Sequence, residues 1–267
     1  VLTTESLPKR MAKIPSCRHP SRGGMWRRAL LLLAISLLRS VPGDGEQVSF
    51  TQWLDALRSD AQEKGVSRAT LDVALADVAP IDRVLQLQQK QPEVTLSWAE
   101  YSRRVVSNDR ILRGRQKLDE HHELLTQIAA KYGVQARFLV ALWGVESDFG
   151  QHTGDTPAIS ALATLGWRGR RGAYFRRELI ELLTTVESGY TDPTRLRSSW
   201  AGALGQCQFM PSNFKRFSVD FDGDGTRDIW TSTGDVLASM ARFLSHLGWN
   251  DDETWGRPVL LPEGFDG

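Results

Sequence analysis

Leu139-Val140-Ala141-Leu142-Trp143-Gly144-Val145-Glu146-Ser147-Asp148-Phe149-Gly150 is the stretch on which the reading of this chain turns. Leu139, Leu142, Trp143 and Glu146 recur at i, i+3, i+4 and i+7, the period of one helical face. A helix is therefore predicted from Ala136 to Glu146, with the Glu146 carboxylate on the same face as three large apolar side chains. The Ser147-Asp148-Phe149-Gly150 break puts Glu146 in the last turn, where the negative end of the helix dipole disfavours a charge. Desolvation and that dipole both push a carboxyl pKa upward, the condition for a general acid near neutral pH. The competing reading is half of a buried ion pair with one of the chain's many arginines.

Helical signals continue on both sides. Upstream, Gln47 to Lys64 carries Phe50, Trp53, Leu54, Leu57 and Ala61 at helical spacing and stops at Gly65, and Ser67 is placed to cap a second helix with Leu71, Ala74, Leu75 and Val78. Arg83 to Tyr101, polar and Gln-rich with Pro92, reads as an extended connection. Arg104 to Tyr132 reads as long helical segments closed by Gly133.

Downstream, Thr156 is expected to cap and Pro157 to open a short helix that holds Ile159, Leu162 and Leu165 and ends at Gly166. A basic loop, Arg168 to Gly172, precedes a helix from Tyr174 to Ser188, and Ser198 to Pro211 is turn-rich. Ser232 and Asp235 have capping-box spacing before a helix that ends at Gly248. Alternating runs are scarce, and Pro258 to Leu261 is the only stretch that reads as a strand. The predicted class is mainly α.

The 267 residues carry 33 Lys+Arg against 32 Asp+Glu, a formal charge of +1, which gives no polyelectrolyte signal towards nucleic acid. Met25-Trp26-Arg27-Arg28 and the apolar run Ala29 to Leu38 read as the charged and hydrophobic parts of a secretory signal, too short for a mature membrane span. Residues 1–45 are accordingly read as a removable leader, an upstream tail plus signal peptide, with Met25 the expected start. No lipoprotein-type Cys directly follows the apolar run, so the expected product is soluble, exported and periplasmic, with no integral membrane segment. Of two cysteines, Cys17 and Cys207, only the second lies beyond the leader, which excludes a disulfide framework. The flanks of Cys207 supply no base, and the histidines show no HExxH spacing.

Two further stretches carry chemistry. Ser199-Trp200-Ala201-Gly202-Ala203-Leu204-Gly205-Gln206-Cys207-Gln208-Phe209-Met210-Pro211-Ser212 sets hydroxyl and amide groups among glycines that let a ligand approach the backbone. Asp220-Phe221-Asp222-Gly223-Asp224-Gly225-Thr226-Arg227-Asp228 has Asp220, Asp222, Asp224, Thr226 and Asp228 at positions 1, 3, 5, 7 and 9 of a calcium loop, with Gly225 at 6. Position 12 of that loop is Thr231 where a bidentate acid belongs, so the expected calcium site is weak.

Together, GVESDFG around Glu146, SWAGALGQCQFMPS from Ser199 and the acidic loop at Asp220 resemble the lytic murein transglycosylase B family, over about Val48 to Gly267. The resemblance implies a lysozyme-like helical core at 133–250, including the loop at 220–231. An N-terminal helical part at 46–132 and the start of a small β-containing C-terminal subdomain at 251–267 flank it. It implies cleavage of peptidoglycan between N-acetylmuramic acid and N-acetylglucosamine to a 1,6-anhydro product, with Glu146 as the one acid/base and no cofactor. Ser199 and Gln208 are implied as saccharide-binding groups, and Tyr101 and Tyr174 as tyrosines of the cleft. Phe209 and Phe243 are the aromatic candidates; Phe243 stands where the family commonly has a tyrosine, and for Phe209 a place in the core is an equal expectation. The rivals are a hydrolytic muramidase, a non-catalytic peptidoglycan-binding module with Glu146 paired to an arginine, and a calcium-dependent interaction module.

Overall fold

A computed structural model describes residues 48–89, 96–194, 196–252, 259–260 and 262–265. The leader region lies outside the described residues.

Local capping chemistry sets the first helices. Helix α1 (Phe50–Glu63) starts at Ser49, whose hydroxyl accepts the Gln52 N–H while the Gln52 side chain returns to the Ser49 backbone. Helix α2 (Arg68–Ala74) is capped by Ser67, and Glu187 from a distant helix accepts both the Ser67 N–H and its hydroxyl. The stretch expected to be extended contains a helix instead, α3 (Asp82–Gln88), which the pairing of the Ile81 N–H with the Thr164 hydroxyl anchors to the core. Helix α4 (Trp98–Val105) has its own capping box at Ser97 and Glu100.

Helices α5 (Asn108–Glu120) and α6 (His122–Tyr132) fill the expected long helical region, and Gly133 closes α6 in the left-handed conformation. Helix α7 (Ala136–Ser147) contains Glu146 in its last turn, as the periodicity predicts. It packs on α5, α6 and the last long helix, so the chain on either side of residue 133 shares one packed layer.

The core centres on α8 (Ala158–Arg168) and α9 (Gly172–Glu187). Every residue of α8 from Ala158 to Gly166 is buried. Gly166 does not end this helix. A Cβ there would lie 2.7 Å from the Trp53 ring, so glycine is required by close approach of α1. Nor does Thr156 cap it: Thr156–Pro157 form strand β1, paired antiparallel with strand β2 (Arg197–Ser198). The turn-rich segment after β2 leads into α10 (Pro211–Phe217), a short helix begun by proline at its first position. Helix α11 (Thr233–His246) follows the acidic loop, with Ser232 accepting the Asp235 N–H at its start.

The fold is mainly α, with β1 and β2 its one small sheet among the described residues. Val259 and Leu260, the described part of the stretch expected as a strand, are exposed and belong to none. Pro258 and Leu261 lie outside the described residues, as does most of 251–267 where a C-terminal subdomain was expected to begin.

Candidate active site

Glu146 departs from its expected setting. Leu139 and Trp143, on its face of α7, are buried, but Glu146 itself is exposed. The helix rises about 1.5 Å per residue, so its last turn carries the side chain past the core that covers Trp143. Neighbouring protein still displaces enough water to raise the carboxyl pKa, and desolvation is the cause. No hydrogen bond or ion pair to Glu146 occurs among the described residues, which removes the structural ion pair as its reason for being there.

The nearby arginines serve Asp148 instead. Asp148 ends α7 with φ +54°, followed by Phe149 at +60° and Gly150 at +86°, three left-handed residues in succession. One carboxylate oxygen of Asp148 accepts from Arg110 Nε at 3.0 Å and from Arg113 Nη2 at 2.8 Å, both on α5. The Arg113 guanidinium foremost, then Arg110, hold this carboxyl below the usual aspartate value. The pKa values of two acids two residues apart are thus driven in opposite directions, Glu146 upward by desolvation and Asp148 downward by its arginines.

Three sequence-distant motifs meet around a residue that the sequence did not single out. The Gln206 side chain is buried; its Oε1 accepts from Trp143 Nε1 at 2.7 Å and its Nε2 donates to the Trp230 carbonyl at 2.7 Å. Its backbone N–H donates to the Ile229 carbonyl at 2.8 Å. Gly205 sits so close to Ile229 that a Cβ would approach that carbonyl oxygen to 2.6 Å. Beside Gln206, the thiol of Cys207 is buried, and burial followed by the charge of Glu146 pushes its pKa well up. A protonated, enclosed thiol is no nucleophile.

The expected sugar-binding groups fall into two sets. Ser199 and Gln208 lie in this turn-rich segment, both partly accessible: the Ser199 hydroxyl accepts the Ala203 N–H at 3.1 Å, and Gln208 Nε2 donates to the Gly205 and Thr153 carbonyls at 2.9 and 3.3 Å. Gln208 has φ +49°, a strained value for a non-glycine residue, held by these two bonds. Its side-chain oxygen has no partner among the described residues. Tyr174 on α9 is half-buried beneath the Arg171 guanidinium, 4.2 Å from the ring centre, and desolvation first, then the charge of Glu178, raise its hydroxyl pKa.

Glu178 is buried, although no sequence motif marks it. Its two oxygens accept from the Ser212 N–H and hydroxyl, each at 2.9 Å, placing a negative charge at the start of α10 and tying α9 to the turn-rich segment.

The aromatic candidates are placed differently. Phe209 is only 5% exposed and packs on Phe243, centroids 5.5 Å apart; Phe243 also packs on Phe217 at 5.2 Å. Phe209 therefore takes the core place, and Phe243 is half-buried in the same aromatic group. Tyr101 stacks on the exposed Trp98 at 6.2 Å, with no ring contact or hydrogen bond to the three motifs.

In the acidic loop the clustered carboxylates are Asp220, Asp222 and Asp235, with one oxygen from each within 4.8 Å of the others. Calcium–oxygen distances of about 2.3–2.6 Å allow three ligands at such separations, so the trio fits a hard cation. The trio shares Asp220 and Asp222 with the expected set and adds Asp235. Asp224 is occupied by the Thr226 N–H and hydroxyl, and Asp228 by the Trp230 and Thr231 N–H groups and the Thr231 hydroxyl. Asp235, on α11 and at capping-box spacing from Ser232 in the sequence, is the acid nearest to Asp220 and Asp222 in this group. Asp235 also accepts the Phe221 and Asp228 N–H groups, each at 2.7 Å, and burial raises its pKa.

With this geometry in hand, relatives define the class. The Transglycosylase SLT domain model matches residues 49–267, and the chain belongs to that family. It is 31% identical over 229 residues to the membrane-bound lytic murein transglycosylase B of Escherichia coli, covering 80% of this chain and 62% of that protein. The crystal structure of SltB3 from Pseudomonas aeruginosa in complex with NAG-NAM-pentapeptide is similar with TM-score 0.75 and 41% identity, covering 82% of this chain and 58% of that one. The E. coli lytic transglycosylase Slt35 in complex with calcium is similar with TM-score 0.66 and 31% identity, covering 77% and 64%. The helical architecture is thus the lysozyme-like one of lytic transglycosylases, and the chain spans about three fifths of the length of these relatives.

Proposed function

We propose that this chain is a peptidoglycan lytic transglycosylase that cleaves the β-1,4 bond between N-acetylmuramic acid and N-acetylglucosamine without water. One observation carries the reading: Glu146 is an exposed, unpartnered carboxyl with a raised pKa, and its only close acidic neighbour in sequence, Asp148, is locked by two arginines. Most glycosidases need two free carboxyl groups flanking the bond. Here one is free. Glu146 donates its proton to the glycosidic oxygen, and the substrate's N-acetyl group supports the positive anomeric centre. The carboxylate so formed takes the proton from the muramoyl 6-hydroxyl, which attacks the anomeric carbon and closes the anhydro ring.

Ser199, Gln208 and Tyr174 are the proposed saccharide contacts, the free amide oxygen of Gln208 being a ready acceptor for a sugar hydroxyl. Complexes of SltB3 with NAG-NAM-pentapeptide and with NAG-anhNAM-pentapeptide support this substrate class and product. Such a substrate implies work outside the cytoplasmic membrane, in keeping with the leader reading of residues 25–38. Among the described residues, no helix is long and apolar enough to cross a membrane. Digestion of purified peptidoglycan followed by mass analysis tests the proposal: anhydro-muropeptides are expected, and products heavier by one water would instead show a hydrolase.

A calcium ion held by Asp220, Asp222 and Asp235 has a structural role in this reading, since the trio ties the loop to α11. Calcium added to chelator-treated protein is expected to raise Tm by roughly 5–10 °C at a hundredfold excess over Kd. Asp235→Asn should remove most of that shift in differential scanning calorimetry.

A further inference from the structure

We propose that Gln206 is the positioning residue that sets the geometry of Glu146, by gripping the end of α7 on both sides of it. The inference rests on the role given to Glu146 above. On the N-terminal side, the buried Gln206 amide oxygen holds the indole N–H of Trp143, one turn before Glu146, at 2.7 Å. On the C-terminal side, that oxygen lies against Gly150, where a Cβ would come within 2.4 Å of it. Glu146 is bracketed between these two contacts, three residues after one and four before the other.

The grip is fixed at its other end by backbone alone. Gln206 donates through its side chain to the Trp230 carbonyl and through its main chain to the Ile229 carbonyl. Trp230 is itself held by Asp228, whose N–H bonds Asp235. Both functions of one amide are therefore used, the acceptor towards α7 and the donor towards the acidic loop. A leucine or methionine offers neither, and a glutamate offers no donor when ionised. The Trp143 ring is further wedged by Phe149, edge-on at 5.6 Å, and by His121 at 5.8 Å, so a fixed indole means a fixed last turn. Reaction at a lone acid/base is sensitive to displacements of about 1 Å, which can cost a hundredfold in rate.

The test pairs Gln206→Met with Trp143→Phe, which keeps an aromatic six-membered ring but removes the indole N–H together with the rest of the five-membered ring. Both variants, checked for native fold by circular dichroism, are expected to bind sacculi like the wild type and to release anhydro product with kcat lower by roughly tenfold to a hundredfold at similar KM. The double variant should be no slower than the slower single one, because both changes break the same bond. Wild-type kcat in the folded variants, or losses that multiply in the double variant, would overturn the proposal. Wild-type chain that forms no anhydro product defeats the reading of function, a separate outcome. Positioning is then decided by NMR titration of the Glu146 carboxyl: a displaced curve in Gln206→Met supports it, and superimposable curves overturn it.

Discussion

Glu146→Gln is expected to abolish release of anhydro-muropeptides, with turnover down by roughly a hundredfold to ten-thousandfold, while binding to sacculi and the fold persist. Glutamine matches the shape of glutamic acid but neither donates a proton to the leaving oxygen nor accepts one from the 6-hydroxyl. The exposed, unpartnered setting of Glu146 means that the amide leaves no buried partner unsatisfied. The same substitution carries a pH signature. Because the folded pKa lies above the ordinary glutamate value of 4.5, the folded state holds this proton more tightly than the unfolded chain. That contribution to stability is fully present below 4.5 and is lost as pH rises through the raised value. The Gln variant should therefore match the wild type at low pH and exceed it in Tm at neutral pH. Turnover of the wild type should fall on the alkaline side of the same window, where the acid form disappears. Near-normal turnover of the variant would end the assignment.

Asp148→Ala is expected to lower stability by about 2–3 kcal/mol and, through the loosened end of α7, to reduce turnover as well. Removing this carboxylate leaves Arg110 and Arg113 without their shared partner, and breaking a buried pair costs about 3–5 kcal/mol. The lower figure applies because the arginine side chains are 26% and 28% exposed and can turn to water. Asp148→Asn, which tolerates the left-handed conformation and retains an acceptor, should recover part of the loss. The pH dependence is opposite to that of Glu146. A carboxyl held below 3.8 contributes stability that is present above that value and lost as pH falls through its folded pKa. The gap between wild type and Asp148→Ala in urea denaturation should accordingly close under acid; a gap independent of pH would place the stabilisation elsewhere.

Much of the helical frame is written locally. Ser49, Ser67, Ser232 and Gly133 act at the helix boundaries where their side chains or conformational freedom place them, because capping involves residues only three or four apart. Thr156 and Gly166 misled for the opposite reason. Pairing with Arg197–Ser198, some forty residues on, outcompetes a cap at Thr156, and contact with Trp53 explains Gly166.

The site divides in the same way. Periodicity places Glu146 in the last turn of its helix but is silent on where the core surface ends, so its exposure was not legible. Gln206, Glu178 and the ligand role open to Asp235 were hidden because each works across more than ten residues of chain. A buried amide looks like any other glutamine until both its partners are known. Asp235 had a sufficient local explanation as a cap, which masked its place beside Asp220 and Asp222.

The three left-handed residues that terminate α7 have a metrical consequence. A helix cannot propagate through Asp148, Phe149 and Gly150, so α7 is measured from its C-terminal stop, and Glu146 keeps a fixed count of two residues from it. Each residue of register turns a side chain by about 100° and moves it about 1.5 Å. Length changes before Leu139 would be absorbed in the connection from α6, whereas one residue gained or lost between Glu146 and Asp148 would swing the carboxyl off its face. The stop is the ruler from which this acid's place is read.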